Sequence, residues 1–278
     1  MNILEFSLLV WLGSLTAGFL GSLTGLGGGV VIVPLLTVGF GVDIRYAIGA
    51  SLVSVIATSS GAASAYVKEG YTNLRLGMFL EVATTGGAIV GAIVAGMIST
   101  RAIAIVFGMV LLYSAYLSRQ HRVEHLESAP PDYLATSLKL NGSYPTPDGQ
   151  KFYNVRAVPV GFGLMFVAGV LSGLLGIGSG AVKVLAMDRA MGIPFKVSTT
   201  TSNFMIGVTA AASAGVYLKR GYIDPGLAMP VMLGVLLGAL LGAKVLVRAK
   251  IGLLRNIFSL VILGLAIEMI YKGLTGGI

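Results

Sequence analysis

The chain contains no cysteine and only two histidines in 278 residues. The missing thiols remove disulfides, thiolate metal sites and a cysteine nucleophile together. Charge is scarce as well: 11% of residues are Asp, Glu, Lys or Arg, against about 25% in an ordinary soluble domain. Neither P-loop nor dinucleotide-binding spacing is met, and no Ser-His-Asp or paired-carboxylate arrangement stands out. The N-terminus lacks the basic region and small-residue cleavage site of a signal peptide, so the first apolar segment is expected to stay in the protein.

What fills the chain is apolar residues and glycine. Hydrophobic residues make up 55%, and the mean hydropathy is +0.89. Stretches 3–23, 46–67, 76–98, 101–117, 158–177, 226–247 and 257–271 reach or approach the roughly 20 residues that a membrane helix needs. Two shorter ones cover 26–40 and 179–193, and a tenth, 197–218, is rich in Thr and Ser. A lipid-exposed chain must satisfy its backbone hydrogen bonds internally, so helices are expected throughout. The 40 glycines suit helices that approach closely in a bilayer. A net charge of +8 sits largely between spans, where it sets topology rather than binding nucleic acid.

Residues 17–36 read AGFLGSLTGLGGGVVIVPLL and residues 168–187 read AGVLSGLLGIGSGAVKVLAM. They align without a gap at an offset of 151 positions, with nine identities in the first nineteen. The register holds through Gly41/Gly192, Ser51/Ser202, Tyr66/Tyr217, Lys68/Lys219, Gly70/Gly221, Tyr71/Tyr222 and Gly91/Gly242. Tyr, Lys and Gly keeping one register over such a length indicate duplication. The expected organisation is a membrane repeat over 1–117, a polar linker over 118–157 and a second membrane repeat over 158–278.

Each half holds five apolar segments. An odd number of crossings inverts the second half relative to the first, as in many secondary transporters. If the short second segment turns back without crossing, the parity changes. The expected fold is therefore an all-α polytopic membrane protein of about eight to ten segments in two inverted repeats. Broken or half helices are expected at the glycine-rich motifs. Basic residues of the linker (Arg119, Arg122, Lys139, Lys151, Arg156), with Arg248, Lys250 and Arg255, place the linker in the cytoplasm and both termini outside; Lys219 and Arg220 argue mildly the other way. Within the linker, alternation around Ser137–Leu140 and Lys151–Val155 predicts a small β-hairpin. His121 and His125, four apart with Glu124 and Glu127 nearby, have a metal-binding spacing but no third ligand, so a solvated helix extension is expected and no metal site.

The glycine clusters Gly25-Leu26-Gly27-Gly28-Gly29 and Gly176-Ile177-Gly178-Ser179-Gly180 fall where one apolar segment ends and the next begins. A helix starting there offers unpaired N–H groups and a positive dipole end to an anion; otherwise the glycines serve packing. Lys183, three residues beyond Gly180, lies inside an apolar segment, where a lysine is costly and marks a functional site. It is expected to contact substrate, or else to snorkel or pair with Asp188. Ser51 is matched by Ser202, which is preceded by Thr199, Thr200 and Thr201 and followed by Asn203. These hydroxyls and the amide suit a compact oxyanion, although Ser and Thr can also bond back to their own helix. The expected substrate-binding set is Gly27, Gly28, Gly29, Ser51, Gly178, Ser179, Gly180, Lys183, Thr201, Ser202 and Asn203. Glu81 and Glu268 are the carboxylates within spans and the candidates for carrying a coupling proton. No cofactor is expected. An intramembrane enzyme and a passive anion channel stand as alternatives; the first lacks a span-borne acid–base pair.

The stretch GLGGGVVIVPLL at 25–36, with GASL at 49–52, Gly70-Tyr71, GIGSG at 176–180 and TTSN at 200–203, resembles the TauE/SafE family of sulfite exporters. The resemblance covers both halves, apart from the linker. It implies secondary transport of a small sulfur-containing anion such as sulfite, thiosulfate or an organosulfonate across a prokaryotic plasma membrane. Three departures bear on substrate: Ser179 stands where the family's second motif usually has glycine, Leu185 stands opposite Pro34, and Lys183 stands opposite Ile32. An asymmetric site of this kind could also take a carboxylate. Lipid-facing surfaces are apolar whether or not a partner covers them, so a homodimer remains open.

Overall fold

A computed structural model describes residues 2–24, 28–68, 70–119, 132–146, 149–246 and 251–276. The first helix, α1 (Ile3–Thr24), has 22 residues and at about 1.5 Å per residue matches the thickness of a bilayer's hydrocarbon core. Beyond the glycine cluster comes α2 (Gly29–Pro34), continuing into a π-helical turn over Leu35–Gly39. Then follow α3 (Ile44–Lys68), α4 (Leu74–Ala95) and α5 (Thr100–Arg119). The linker contributes α6 (Tyr133–Ser137), β1 (Gly142–Thr146) and β2 (Gly149–Tyr153). The second half repeats the order as α7 (Val158–Leu175), α8 (Gly180–Leu185) with a π-helical turn over Ala186–Ala190, α9 (Phe195–Lys219), α10 (Pro225–Leu246) and α11 (Ile251–Thr275). The starts of α2, α3, α4 and α5 recur 151 positions later, and so do the π turns.

Contacts between helices set their directions. Gly87 and Gly91 of α4 lie against the carbonyls of Phe166 and Val170, while Gly169 and Gly173 of α7 lie against those of Thr84 and Ala88. Numbers rise together, so α4 and α7 are parallel. Gly234 and Gly238 of α10 face Trp11 and Leu15 of α1 in the same sense. Helix α9 runs parallel to α4, with Asn73 bonded to Thr201, Thr209 to Glu81 and Arg220 to the Ala92 carbonyl. It runs against α3, since Gly207 meets Ser59 while Tyr222 just beyond α9 packs on Tyr46 near the start of α3. Helices α5 and α11 are antiparallel, with Gly108 against Ile270 and Gly273 against Ile105. Short turns reverse α4 into α5 and α9 into α10. Helices α1, α3, α5 and α10 therefore point one way, and α4, α7, α9 and α11 the other: the repeat is inverted.

The short segments follow the same logic. Gly28 lies beside Gly18, Leu35 beside Gly13, and Phe40 packs edge-on against Phe6 at 5.9 Å. Helix α2 and its π turn thus run back along α1 to the face where α1 began, and α3 starts from there. In the second half Met191, at the end of the π turn, lies on Gly161 at the start of α7. Both short segments return, which makes five alternating segments per half.

The halves interlock. The first helix of each lies along the fourth helix of the other, and α3 with α9 and α5 with α11 pair across the pseudo-two-fold axis. An added Cβ at Gly87, Gly91, Gly169 or Gly173 would overlap a carbonyl oxygen of the opposite helix, the close approach that small residues permit in membranes. Among the described residues, Leu4–Gly21, Leu74–Ala95, Val158–Leu175 and Pro225–Gly242 lie in helices long and apolar enough to cross a bilayer. Leu8, Val82, Val167, Leu240 and Ile267 point outward from the bundle.

The linker hairpin is shifted from its expected register. Asp132 caps α6 by accepting from the Leu134 N–H at 3.1 Å, so Tyr133–Ser137 is helical rather than extended. Lys139, at φ +52°, ends that turn, and the first strand begins at Gly142. It pairs antiparallel with β2, from Gly142↔Tyr153 to Thr146↔Gly149. Asn141 closes the base by accepting from the Val155 N–H at 2.8 Å, so Asn141-Gly142 anchors the base of the hairpin. The histidines at 121 and 125 lie outside the described residues.

Asn73 fastens this linker to the bundle. Its Oδ1 accepts from the Leu76 N–H and so caps α4, while its Nδ2 donates to the Leu140 carbonyl at 2.9 Å and to the Tyr153 hydroxyl at 2.8 Å. Burial pushes the Tyr153 phenol up to about 12, with the Asn73 hydrogen bond opposing, so it remains neutral at physiological pH. Asn73→Ala removes the cap and both linker bonds. The expected loss is about 1–2 kcal/mol, read as earlier proteolysis within 118–157 and a lower unfolding midpoint.

Candidate functional site

The start of α2 lies against the second glycine turn at the heart of the bundle. Helix α7 ends at Gly176, with φ +68°, and the chain turns through Gly178, at φ +69°, into α8. Only glycine adopts such values without strain. From the first half, Gly29 is pressed into this turn: a Cβ built on it would lie 2.8 Å from Ser51 Oγ and 3.0 Å from the Gly176 carbonyl oxygen. The Ser51 hydroxyl donates to that carbonyl at 2.8 Å. Val55 sits between the turns, within 3.1 Å of a Cβ at Gly29 and 3.4 Å of one at Gly178. Ser202 of α9 donates to the Gly180 carbonyl at 3.4 Å.

Other expected site residues divide. Ser179 occupies a left-handed backbone position, φ +45°, and its buried hydroxyl has no hydrogen-bond partner. Thr201 is buried but engaged, accepting from the Asn73 N–H at 3.1 Å. Asn203 is half-buried on α9. Gly28 faces away from the second turn: a Cβ there would meet Val235 of α10 at 2.7 Å, so its smallness lets the start of α2 pack on α10. Gly27 lies outside the described residues. Glu268 is exposed on α11, which packs mainly on α5.

Lys183 is fully buried, and its partner is Glu81 of α4 rather than Asp188. The Lys183 ammonium donates to Thr209 Oγ1 at 2.5 Å, and the Thr209 hydroxyl reaches Glu81 Oε1 at 2.6 Å. The direct approach, Nζ to Glu81 Oε2, is 4.0 Å. Thr85 adds a donor to Oε1 at 3.1 Å, whereas Oε2 is buried without a hydrogen-bond partner. A buried charge is tolerated when paired, and Glu81 meets that need for Lys183. Sequence reasoning reached both charges separately and missed Thr209 and Thr85 as the hydroxyls that join them.

The inverted repeat also sets matching contacts at the two ends of the bundle. Arg45, at the start of α3, lies 5.7 Å from the centre of the Tyr222 ring. Its counterpart Lys196, at the start of α9, lies 5.7 Å from the centre of the Tyr71 ring. The pairs Arg45/Lys196 and Tyr71/Tyr222 obey the 151-position offset. The Tyr71/Tyr222 match was visible in the sequence; the cations over the rings were not.

An interlocked inverted repeat, with two broken helices meeting in its centre and a charged pair beside them, is the architecture of a membrane transporter. The family model described as "Sulfite exporter TauE/SafE" matches residues 10–269, and the chain belongs to that family. It is 29% identical over 279 aligned positions to the probable membrane transporter protein YunE of Bacillus subtilis, covering 98% of this chain and 99% of that one. A probable membrane transporter protein of Xylella fastidiosa is 26% identical over 271 positions, covering 96% of each chain. One from Methanocaldococcus jannaschii is 26% identical over 227 positions, covering 76% of each. No solved structure matches the chain. The protein is a multi-pass membrane transporter of this family, not an enzyme.

Proposed function

We propose that the chain is a secondary transporter that moves a small sulfur-containing anion, sulfite or an organosulfonate, across the cell membrane by alternating access. The observation that carries this reading is the junction at the second glycine turn, where Ser51 and Gly29 of one half meet Gly176 of the other. The anion would sit there, held by backbone N–H groups of the second turn and by Ser179 and Asn203, with Ser51 and Ser202 joining once their hydroxyls turn from the Gly176 and Gly180 carbonyls. Lys183, one helical turn beyond Ser179, supplies the positive charge. Thiosulfate or a carboxylate would meet the same donors. The linker faces the cytoplasm in this reading. The halves 1–117 and 158–278 do not move as separate bodies, because the glycine seams tie α1 to α10 and α4 to α7. Motion instead opens one cation–tyrosine contact, Arg45–Tyr222 or Lys196–Tyr71, while the other stays closed.

Ser179 provides the test. A non-glycine residue at positive φ costs about 1–3 kcal/mol, and a buried hydroxyl without a partner costs about 1–3 kcal/mol more. Those costs are sensible if the hydroxyl contacts substrate. Ser179→Gly is expected to raise the unfolding midpoint of detergent-purified protein and to reduce the further stabilisation that added sulfite gives by ligand linkage. A variant that is more stable and keeps its full response to sulfite would remove Ser179 from the site. No response of the parent protein to sulfite, thiosulfate or a sulfonate would remove the anion reading.

A further inference from the structure

The charged pair beside the turns breaks the symmetry of the repeat in one step. The counterpart of Lys183 is Ile32, and the counterpart of Glu81 is Met232. Thr209 corresponds to Thr58, whose hydroxyl bonds back to the Ser54 and Val55 carbonyls of its own helix. One of the two symmetry-related positions, each built from both halves, thus carries an apolar version of the site and the other a cation, a carboxylate and a bridging hydroxyl. Neither charge is needed to fold this arrangement of helices, since the related position is built without them.

Resting on the transport reading above, we propose that Glu81 and Lys183 form a proton-binding exchange site that couples the anion to a proton. Without substrate, Lys183 is neutralised by Glu81 through Thr209. An anion arriving from the Ser179 side takes over the Lys183 charge. Glu81 is then a buried carboxylate without a cation, and it binds a proton at Oε2, the oxygen that has no hydrogen-bond partner. The net charge of the cluster is zero in both states: ammonium with carboxylate, then ammonium with anion and neutral carboxyl. Keeping a buried cluster neutral is the strong constraint, and it ties one proton to each monovalent anion. The proton arrives on Glu81 with the anion and leaves when Lys183 is returned to it.

Among the described residues, no other titratable group competes at this place. Helix α7, packed along α4, has no titratable side chain, and those of α9 (Lys196, Tyr217, Lys219) lie at its two ends. Arg75 on α4 lies near that helix's start, and Asp188 and Arg189 belong to the π turn at the far end of α8. The direct neighbours of Glu81 are Lys183, Thr209 and Thr85.

The test uses full-length protein in sealed liposomes with methanesulfonate as the monovalent probe and thiosulfate as a second, since neither changes charge across the working pH range. A one-unit inward proton gradient is expected to give ~tenfold accumulation of methanesulfonate at balance, because one pH unit is one factor of ten. A trapped pH dye should register one proton per anion. In Glu81→Gln, exchange of labelled for unlabelled probe continues at a changed rate, but gradient-driven accumulation disappears. Accumulation that persists in Glu81→Gln would overturn the proposal. So would anion flux in the parent protein with no proton movement, a result that does not depend on the variant folding. Absence of any flux in the parent protein would instead overturn the anion-transport reading and this proposal with it.

Discussion

Lys183→Met lowers the stability of the folded protein by about 3–5 kcal/mol, the usual cost of leaving one member of a buried ion pair alone. The cause is Glu81, which is only 7% exposed and, among the described residues, is approached by the Lys183 cation of α8. Glu81→Met in the same chain should recover most of the loss, because the double variant copies the apolar Ile32 and Met232 side of the repeat. Thermal unfolding of the two single variants and the double variant forms a cycle whose coupling term reports the pair. A Lys183→Met protein as stable as the parent would show that the ammonium and carboxylate are not interdependent. Anion stabilisation should be lost in both Lys183→Met proteins, so the cycle separates folding from binding.

Gly173→Val gives the other large effect. A Cβ at Gly173 would overlap the Ala88 carbonyl oxygen of α4, and forced overpacking of this kind costs about 3 kcal/mol. The same substitution at Gly163, also on α7, meets nothing within 4 Å and should leave folding near that of the parent. Monodisperse yield in mild detergent after controlled heating reads the difference. Equal yields from Gly173→Val and Gly163→Val would mean that α4 and α7 are not in backbone contact.

The duplication could be read directly because Tyr, Lys and Gly keep one register across helices that share surroundings by symmetry. Inversion followed from counting five apolar segments, and the helix directions give the same result. The partner of Lys183 could not be read that way. Spacing along a helix shows which residues share a face, but not which distant helix that face meets. Glu81 lies close to the start of its span, and spacing alone does not show that α8 and α9 cover it through Lys183 and Thr209. Glycines posed a similar difficulty: Gly28 and Gly29 are neighbours in one motif, yet one packs on Val235 and the other on the second turn. The linker hairpin is shifted because Asp132 caps a helix over Tyr133–Ser137, where alternation predicts the start of a strand.

The most direct test is flux into proteoliposomes with sulfite, thiosulfate, taurine, sulfoacetate, sulfate and acetate offered separately, with and without an imposed pH gradient. Saturable uptake of a sulfur anion, driven by the gradient and lost in Lys183→Met with Glu81→Met, is the predicted result. A folded protein that carries none of these anions, or carries acetate and sulfur anions alike without saturation, would contradict the account.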